Sequence, residues 1–517
     1  MSKERPNVLL LFSDEHSFRC VSHRDDEYTE PVRTPALDGL AQAGVTFREA
    51  YCQMPLCTPS RLCLLTGRRS DRCNAFGNTR VLPPDCPTIA DALGGAGYRT
   101  GLVGKMHLGG ARQFAGFQDR PYGDLTGGTG HQWEPLSRSG GRSIRDRTRD
   151  AGVTEIPESA HQERVTVDES VAWIRERHAS DDGPWFLTAS FSRPHFPLTA
   201  PPRHLRRFWD LDADEPTDRL TEPAVGPTGD AADHPMTVGA IEGFRTDEID
   251  DHERQRARAA YFACVEYLDE IIGDFLATLE RGGYLENTVV IYTSDHGELA
   301  GEHGLWWKHT WHEAAAKVPL LVQTPAHRGG DHGSVDIDSP VGLIDLFPTI
   351  CDLADVTPPA GLDGKSLAST VTTGEAPDRG PVVCDNLTDR WGEGTAFRMV
   401  RADQFKFVAF EDAPPLCFDL ASDPLEQRNL ADAELPAAKA RIRDDLQRYV
   451  AESIDFETVR ERRAAGAELA EDFRLDAETE SSSGNCYVLS RGDVVDADAT
   501  LYDPVVVTDD PDGTFSE

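Results

Sequence analysis

The chain reads as an α/β protein: a large, mostly parallel central sheet flanked by helices, followed by a smaller C-terminal antiparallel sheet with a helix. Three observations carry this reading. Near-continuous apolar runs of strand length recur through residues 1–375. Helical stretches lie between them. Beyond residue 376, short strand-like segments follow one another across tight turns and end in a helix. Apolar runs without alternation are what strands buried on both faces look like, and strand–helix alternation builds parallel sheets.

In chain order, the first run is Val8-Leu9-Leu10-Leu11-Phe12, which leads into Ser13-Asp14-Glu15-His16. The second, residues 99–103, leads into Gly104-Lys105-Met106-His107. The third, 185–191, leads into Arg193-Pro194-His195, and the fourth, 289–293, into Ser294-Asp295-His296-Gly297. A fifth, Val318-Pro319-Leu320-Leu321-Val322, continues the series with no reactive group after it. Helices are expected at 36–43, 88–96, 165–178 and 249–281. Open parallel sheets bind ligands beyond the carboxyl ends of their strands. Asp14, Lys105, His107, His195, Asp295 and His296 all follow strand ends, so they are predicted to converge on one edge.

Two segments rich in Gly, Arg, Pro and Asp interrupt this region, 109–150 and 202–247. Long loops beside an active edge build its walls or lid, or are plain surface insertions. In the C-terminal region, 397–401 and 405–410 read as a hairpin, 417–420 as a further strand and 422–430 as a turn. A helix is expected over 435–450, with apolar spacing at Ile442, Leu446 and Val450. The expected units are 1–375, 376–455 and an acidic extension, 456–517. The extension is Ser/Gly-rich at 481–484 and reads as a loose tail or an arm that docks on a neighbour.

Composition narrows the function classes. The formal net charge is -37, and lysine occurs at only seven positions. Such a surface resembles that of proteins adapted to high salt, where screening tames self-repulsion. Nucleic acid is excluded as a partner, because phosphate backbones need basic stripes. An anionic substrate requires a pocket that is locally cationic. No apolar run approaches the ~20 residues that span a bilayer. The five apolar residues 8–12 are fewer than a signal-peptide core of roughly 7–15. The eleven cysteines form no Cys-x-x-Cys pair and suit a reducing compartment. The expected location is therefore the cytoplasm. Self-association is left open.

The chemistry is concentrated in Cys57-Thr58-Pro59-Ser60-Arg61, followed by Leu62-Cys63-Leu64-Leu65-Thr66-Gly67-Arg68. Pro59 pre-sets a first helical turn, which places Cys57 beside unpaired backbone N–H groups at the positive end of a helix. A second pattern is Gly97-Tyr98-Arg99-Thr100, continued by Gly104-Lys105-Met106-His107. Together these resemble the Cys-x-Pro-Ser-Arg and Gly-Tyr-x-Thr…Gly-Lys-x-His motifs of the formylglycine-dependent sulfatases, with finer likeness to choline-sulfatase-like and iduronate-sulfatase-like members. The resemblance covers the chain to about residue 455 and implies an alkaline-phosphatase-like fold.

It also implies a mechanism. Cys57 is oxidised by a formylglycine-generating enzyme to an aldehyde, whose hydrate attacks the sulfur of a small-molecule or saccharide sulfate ester. Alcohol leaves first. C–O cleavage then releases sulfate and restores the aldehyde. The resemblance assigns a divalent metal, calcium with magnesium or manganese as alternatives, to Asp14, Cys57, Asp295 and His296. Arg61 steadies the hydrate, Lys105 grips hydrate and sulfate, and His107 assists breakdown of the sulfo-enzyme. His195 protonates the leaving oxygen, and Lys308 binds sulfate and shares that task. Relatives carry Asp where this chain has Glu15, so that ligand stays open. His16 is expected at the surface or behind the site, His309 at the surface by default with the pocket wall as the alternative, and Trp306 and Trp307 in the core or as a wall of the pocket. Two other functions compete. A phosphonate monoester or phosphodiester hydrolase would use the same groups. A non-catalytic anion-binding protein would keep Cys57 as a thiol.

Overall fold

Alternate residues of the strand Asn7–Asp14 feed two separate cores: Val8, Leu10 and Phe12 face one, Leu9 and Leu11 the other. The strand Thr288–Ser294 divides the same way, with Val289 and Ile291 against Val290 and Tyr292. This is the period of two expected of a sheet covered on both sides. The structure, a computed structural model, describes residues 5–24, 26–109, 112–123, 146–180, 183–330 and 332–472, with the backbone of 486–488 and 494–496.

The central sheet has eight strands. They are β1 (Asn7–Asp14), β2 (Val45–Phe47), β3 (Arg99–Gly104), β4 (Asp119–Gly123), β5 (Trp185–Pro194), β6 (Thr288–Ser294), β7 (Leu320–Gln323) and β8 (Val335–Ile337). Their order is β8-β2-β7-β6-β1-β5-β3-β4. From β6 to β4 all neighbours are parallel. The four runs that end in reactive residues are β1, β3, β5 and β6. The fifth run departs from expectation. Pro319 divides it, Lys317–Val318 pairing with Ala50–Tyr51 while β7 joins the sheet antiparallel to β6. Proline has no N–H to give a ladder, and an apolar run reports burial on both faces without reporting direction.

Helices Gln162–Ser180 and Asp251–Arg281 cover one face through Val167, Val171, Ile174, Leu268, Ile271 and Phe275. Helices Cys57–Thr66 and Leu346–Leu353 cover the other through Leu62, Leu65, Phe347 and Ile350. Leu10 sits in the central β1 and is 1% exposed. Leu10→Ala is expected to cost about 3 kcal/mol, read as a lower urea midpoint at unchanged slope. A loss below about 1 kcal/mol would mean the site collapses without a cavity.

Strands Val382–Asn386, Phe397–Ala402, Phe405–Phe410 and Leu416–Asp419 form an antiparallel sheet in that order. Val400, Phe405, Phe407 and Cys417 on one face pack with Leu446 and Val450 of helix Ala437–Ser453. Met399, Val408 and Phe418 on the other join the main core. The start of the acidic extension is a docked helix, Phe456–Asp472. Its Val459 packs on Phe76 and Leu387, and Arg463 reaches Asp389 at 2.7 Å. The Ser/Gly stretch 481–484 lies outside the described residues.

Segment 202–247 is structured, with helices Pro202–Leu205 and Pro235–Phe244 and a small strand pair. Segment 109–150 contributes β4 and the turn of helix Asp146–Arg149; its residues 110, 111 and 124–145 lie outside the described ones. The ten described cysteines are all buried and unbridged. No described helix is long and apolar enough to cross a membrane.

Candidate active site

The carboxyl edge of the sheet assembles the site. Parallel register sets Ser13 beside Ser294, which puts Asp14 and Asp295 next to each other at the ends of β1 and β6. Lys105 follows β3 and His195 follows β5. Gly104 has φ +96°, and a Cβ there would lie 1.9 Å from the Ser190 carbonyl oxygen. Only glycine permits that close turn, which delivers Lys105 to the neighbouring strands. Gly297 is held to glycine by the Ala314 carbonyl oxygen, 2.0 Å from a built Cβ.

Cys57 opens the helix Cys57–Thr66, after an extended Leu56 that makes no side-chain cap. Pro59 is its third residue, as its fixed φ allows. The residues around Cys57 anchor it to the other motifs. Thr58 N–H donates to Asn78 Oδ1 at 3.2 Å and its hydroxyl to the His107 carbonyl at 2.6 Å. The Ser60 hydroxyl donates to the Asp295 carbonyl at 2.5 Å. Arg61, fully buried, bridges the two carboxylates: Nε to Asp295 Oδ2 at 2.8 Å and a terminal nitrogen to Asp14 Oδ2 at 2.9 Å. It also donates to the Lys105 carbonyl at 2.8 Å and the Ser190 hydroxyl at 3.1 Å. Its geometry is that of a positioning residue for Asp14 and Asp295.

Four donors converge. Cys57 Sγ lies 3.3 Å from His296 Nε2 and 3.7 Å from Asp14 Oδ1. His296 Nε2 lies 3.9 Å from Asp14 Oδ1 and 3.6 Å from Asp295 Oδ1. Donors about 2.4 Å from a hard cation at right angles stand about 3.4 Å apart, so the spacing fits one ion. The tautomer fits too: His296 Nδ1 is 2.9 Å from the Gly297 carbonyl oxygen and donates to it, which leaves the Nε2 lone pair facing the cluster. Burial lowers the His296 pKa and Lys308 adds to this against Asp295, so the ring is neutral, as a ligand must be. Burial opposes the charge of Asp14, but Lys105, His195 and Arg61 outweigh it and hold its carboxyl well below the usual range. Lys105 Nζ is 2.8 Å from Asp14 Oδ2.

Glu15, left open by the sequence, is inside the site. Its backbone takes a left-handed φ of 66°. Its Oε2 is 3.0 Å from Lys308 Nζ and 3.3 Å from His195 Nε2, and its carboxyl also meets that of the buried Glu298. Burial pushes its pKa up to about 8, with Lys308 resisting and Glu298 adding. Two buried carboxyls side by side hold either a shared proton or a cation between them. Lys308 Nζ is also 3.4 Å from Cys57 Sγ. Burial opposes the Lys308 charge, but Cys57, Glu15 and Asp14 hold its pKa above the ordinary value. Burial, with Lys105 beside it, holds His107 well below the ordinary pKa, so that ring is neutral. His195 Nδ1 is 2.8 Å from the Phe196 carbonyl oxygen, which directs Nε2 at the acidic pair.

All six expected strand-end residues thus meet at one edge, together with Cys57, Arg61 and Lys308. His16 is buried behind the site, 2.5 Å from the Tyr292 hydroxyl and 2.8 Å from the Cys20 carbonyl. His309 and Trp307 line a cleft of about 520 Å³ above Cys57, so of its two expected placements His309 takes the pocket wall and not the surface. The same cleft is lined by Asn78, Arg147, Phe244 and Arg390, which no sequence motif singles out. The scarcity of lysine is a weaker signal than it looks. Lys317 and Lys406 are as buried as Lys105 and Lys308, yet sit in ion pairs with Glu49, Glu313 and Glu426 away from the cleft.

A large mostly parallel sheet with a buried acidic cluster at its carboxyl edge, and a small antiparallel sheet packed on the same core, define an α/β protein with a candidate metal-dependent site. The Sulfatase family model matches residues 6–356, and the model for the C-terminal part of N-sulphoglucosamine sulphohydrolase matches 301–453. A choline-sulfatase of Rhizobium meliloti is 31% identical over 454 residues, 84% of this chain and 83% of that protein. The phosphonate monoester hydrolase of Agrobacterium radiobacter has a similar structure, with TM-score 0.71 at 24% identity over 95% of this chain and 99% of the other. So does a protein solved with its substrate D-glucosamine-2-N,6-O-disulfate, with TM-score 0.69 at 22% identity over 89% and 99%. The chain belongs to the Sulfatase family and is a sulfuric ester hydrolase.

Proposed function

We propose that this chain hydrolyses a sulfate ester to an alcohol and inorganic sulfate, with formylglycine formed from Cys57 as nucleophile and a divalent metal held by Asp14, Asp295, His296 and the modified Cys57. The observation that carries the reading is the position of Cys57 Sγ, 3.3 Å from His296 Nε2 and 3.4 Å from Lys308 Nζ at a helix start. Burial, with Asp14 beside it, pushes the Cys57 thiol up to about 12. A thiol so reluctant to ionise is a poor nucleophile near neutral pH, which fits a reading in which the reacting group is an oxygen formed in its place. Sulfur is also a poor donor for a hard cation, whereas an oxygen in its place completes a suitable set.

Formylglycine supplies a hydrated aldehyde oxygen to attack sulfur, and the metal offsets charge on the sulfate. The chain's own residues do the rest. Lys308 and Lys105 flank the nucleophile position with ammonium groups that bind sulfate oxygens. His195 presents Nε2 on the same side and delivers a proton to the leaving alcohol oxygen, a task Lys308 shares. His107, kept neutral by burial, accepts the proton whose loss releases sulfate. Arg61 fixes both carboxylates. Oxygen donors suit calcium, and magnesium or manganese are alternatives. The acidic surface and reduced, buried cysteines fit a salt-rich cytoplasm.

Kinetics on aryl sulfate, alkyl sulfate and phosphodiester substrates test the reaction class. A higher kcat/KM on sulfate esters is expected; a higher value on phosphodiesters would replace this reading with the phosphonate or phosphodiester one. A pH prediction follows from Glu15. Its carboxyl binds a proton up to about pH 8 in the absence of a cation, and a bound cation favours the ionised form. Metal affinity should therefore rise with pH through neutrality and level off near that value. Calorimetry in buffers of different ionisation enthalpy should register proton release on binding. Affinity independent of pH between about 6 and 8 would show that Glu15 and the bound metal do not interact.

A further inference from the structure

The cleft above Cys57 is lined by two arginines, Arg147 and Arg390, and among its described lining residues there is no carboxylate. This is unusual for a chain with a net charge of -37. Other deeply buried arginines behave differently: Arg61, Arg258 and Arg398 each hold one or more acids. Arg147 and Arg390 form no ion pair or hydrogen bond with a described residue. Instead they lie on aromatic faces. Arg147 stands 3.8 Å from the Phe196 ring and 5.4 Å from the Trp307 ring. Arg390 stands 4.7 Å from the Trp391 ring and 5.7 Å from the Phe244 ring.

Two consequences follow. The aromatic faces that would cradle an organic cation are already covered by guanidinium groups, and a quaternary ammonium would meet like charge. Conversely, the two forks are stacked and pre-oriented, with donors left for a planar or tetrahedral anion. Burial, with Arg390 adding and Glu15 resisting, pulls Arg147 down to about 10, a sign that its charge lacks a close counter-ion. The pair stands on separate elements, helix Asp146–Arg149 and the loop after strand Val382–Asn386, and both line the cleft, close enough for each charge to feel the other.

We propose that Arg147 and Arg390 form a subsite for a second anionic group on the substrate, so that the preferred ester is a sulfated saccharide bearing a carboxylate or a further sulfate near the scissile one. This rests on the sulfatase reading above and narrows its substrate. It also separates this chain from the choline-sulfatase it resembles.

The test compares four esters: choline sulfate, a hexose monosulfate, a hexuronic acid sulfate and a hexosamine disulfate. The wild-type enzyme is expected to favour one or both of the doubly anionic esters over the hexose monosulfate by about tenfold or more in kcat/KM, with choline sulfate the poorest. Which of the two is better identifies the second anion as carboxylate or sulfate. In Arg147→Gln and Arg390→Ala, that preference should fall about fivefold or more in each. Choline sulfate equalling the doubly anionic esters, or a preference unchanged in both variants, would overturn the subsite. Calorimetry on Cys57→Ala protein with the same esters separates the two readings. Selective binding of doubly anionic esters by a chain whose wild type turns none of them over would sink the sulfatase reading and keep the subsite. No selectivity in either binding or turnover would remove the subsite.

Discussion

Cys57→Ala is expected to lower kcat by at least about 10⁴-fold while leaving the fold intact. The side chain is small and nothing in the core depends on its sulfur. Its hydrogen-bonding neighbours are site groups, His296, Asp14 and Lys308. The anchors of the turn are Thr58 and Ser60, which the substitution leaves in place. Circular dichroism and the thermal midpoint should therefore match the wild type while sulfate release disappears. Turnover within about tenfold of wild type would refute Cys57 as nucleophile.

Asp295→Asn is expected to remove most of the bound metal and, with it, about 10³-fold or more of the turnover. Asp295 has three dependants. Its Oδ2 takes Arg61 at 2.8 Å, and its Oδ1 takes the backbone N–H of Glu15 at 3.1 Å and of His296 at 2.9 Å. Asparagine keeps the shape, so the loss reports charge and donor strength more than collapse. Arg61 retains Asp14 at 2.9 Å, which limits the cost of a buried guanidinium losing one of its acids. Metal analysis of the purified variant checks the first half of the prediction and kinetics the second. Metal content equal to wild type would place the cation elsewhere.

The parts of this site legible in the sequence are those fixed by backbone periodicity. Strands β1, β3, β5 and β6 announce themselves as apolar runs because both faces are buried, and the polar residue that ends each run marks the carboxyl edge. Asp14, Lys105, His107, His195, Asp295 and His296 follow from that alone. What the runs do not carry is direction, which is why β7 reads like its parallel neighbours while running against β6. The cleft walls are the other gap. Phe244 comes from a helix inside a segment without strand periodicity, and Arg390 from a loop after a strand of the small sheet. Their meeting is a tertiary event with no local pattern. Glu15 sits between the two cases. Its place after Asp14 is plain in the sequence, but its contact with Lys308 needs the fold.

The central claim is that Cys57 is converted to an aldehyde. The most direct test is the mass of the tryptic peptide 49–61 from protein made in its native host. The account predicts that the CH2SH of Cys57 is found as CHO, in the aldehyde or hydrated form, with Cys52 in the same peptide left as a thiol. An unmodified Cys57 in protein that still releases sulfate would contradict the account, because the nucleophile would then have to be another group.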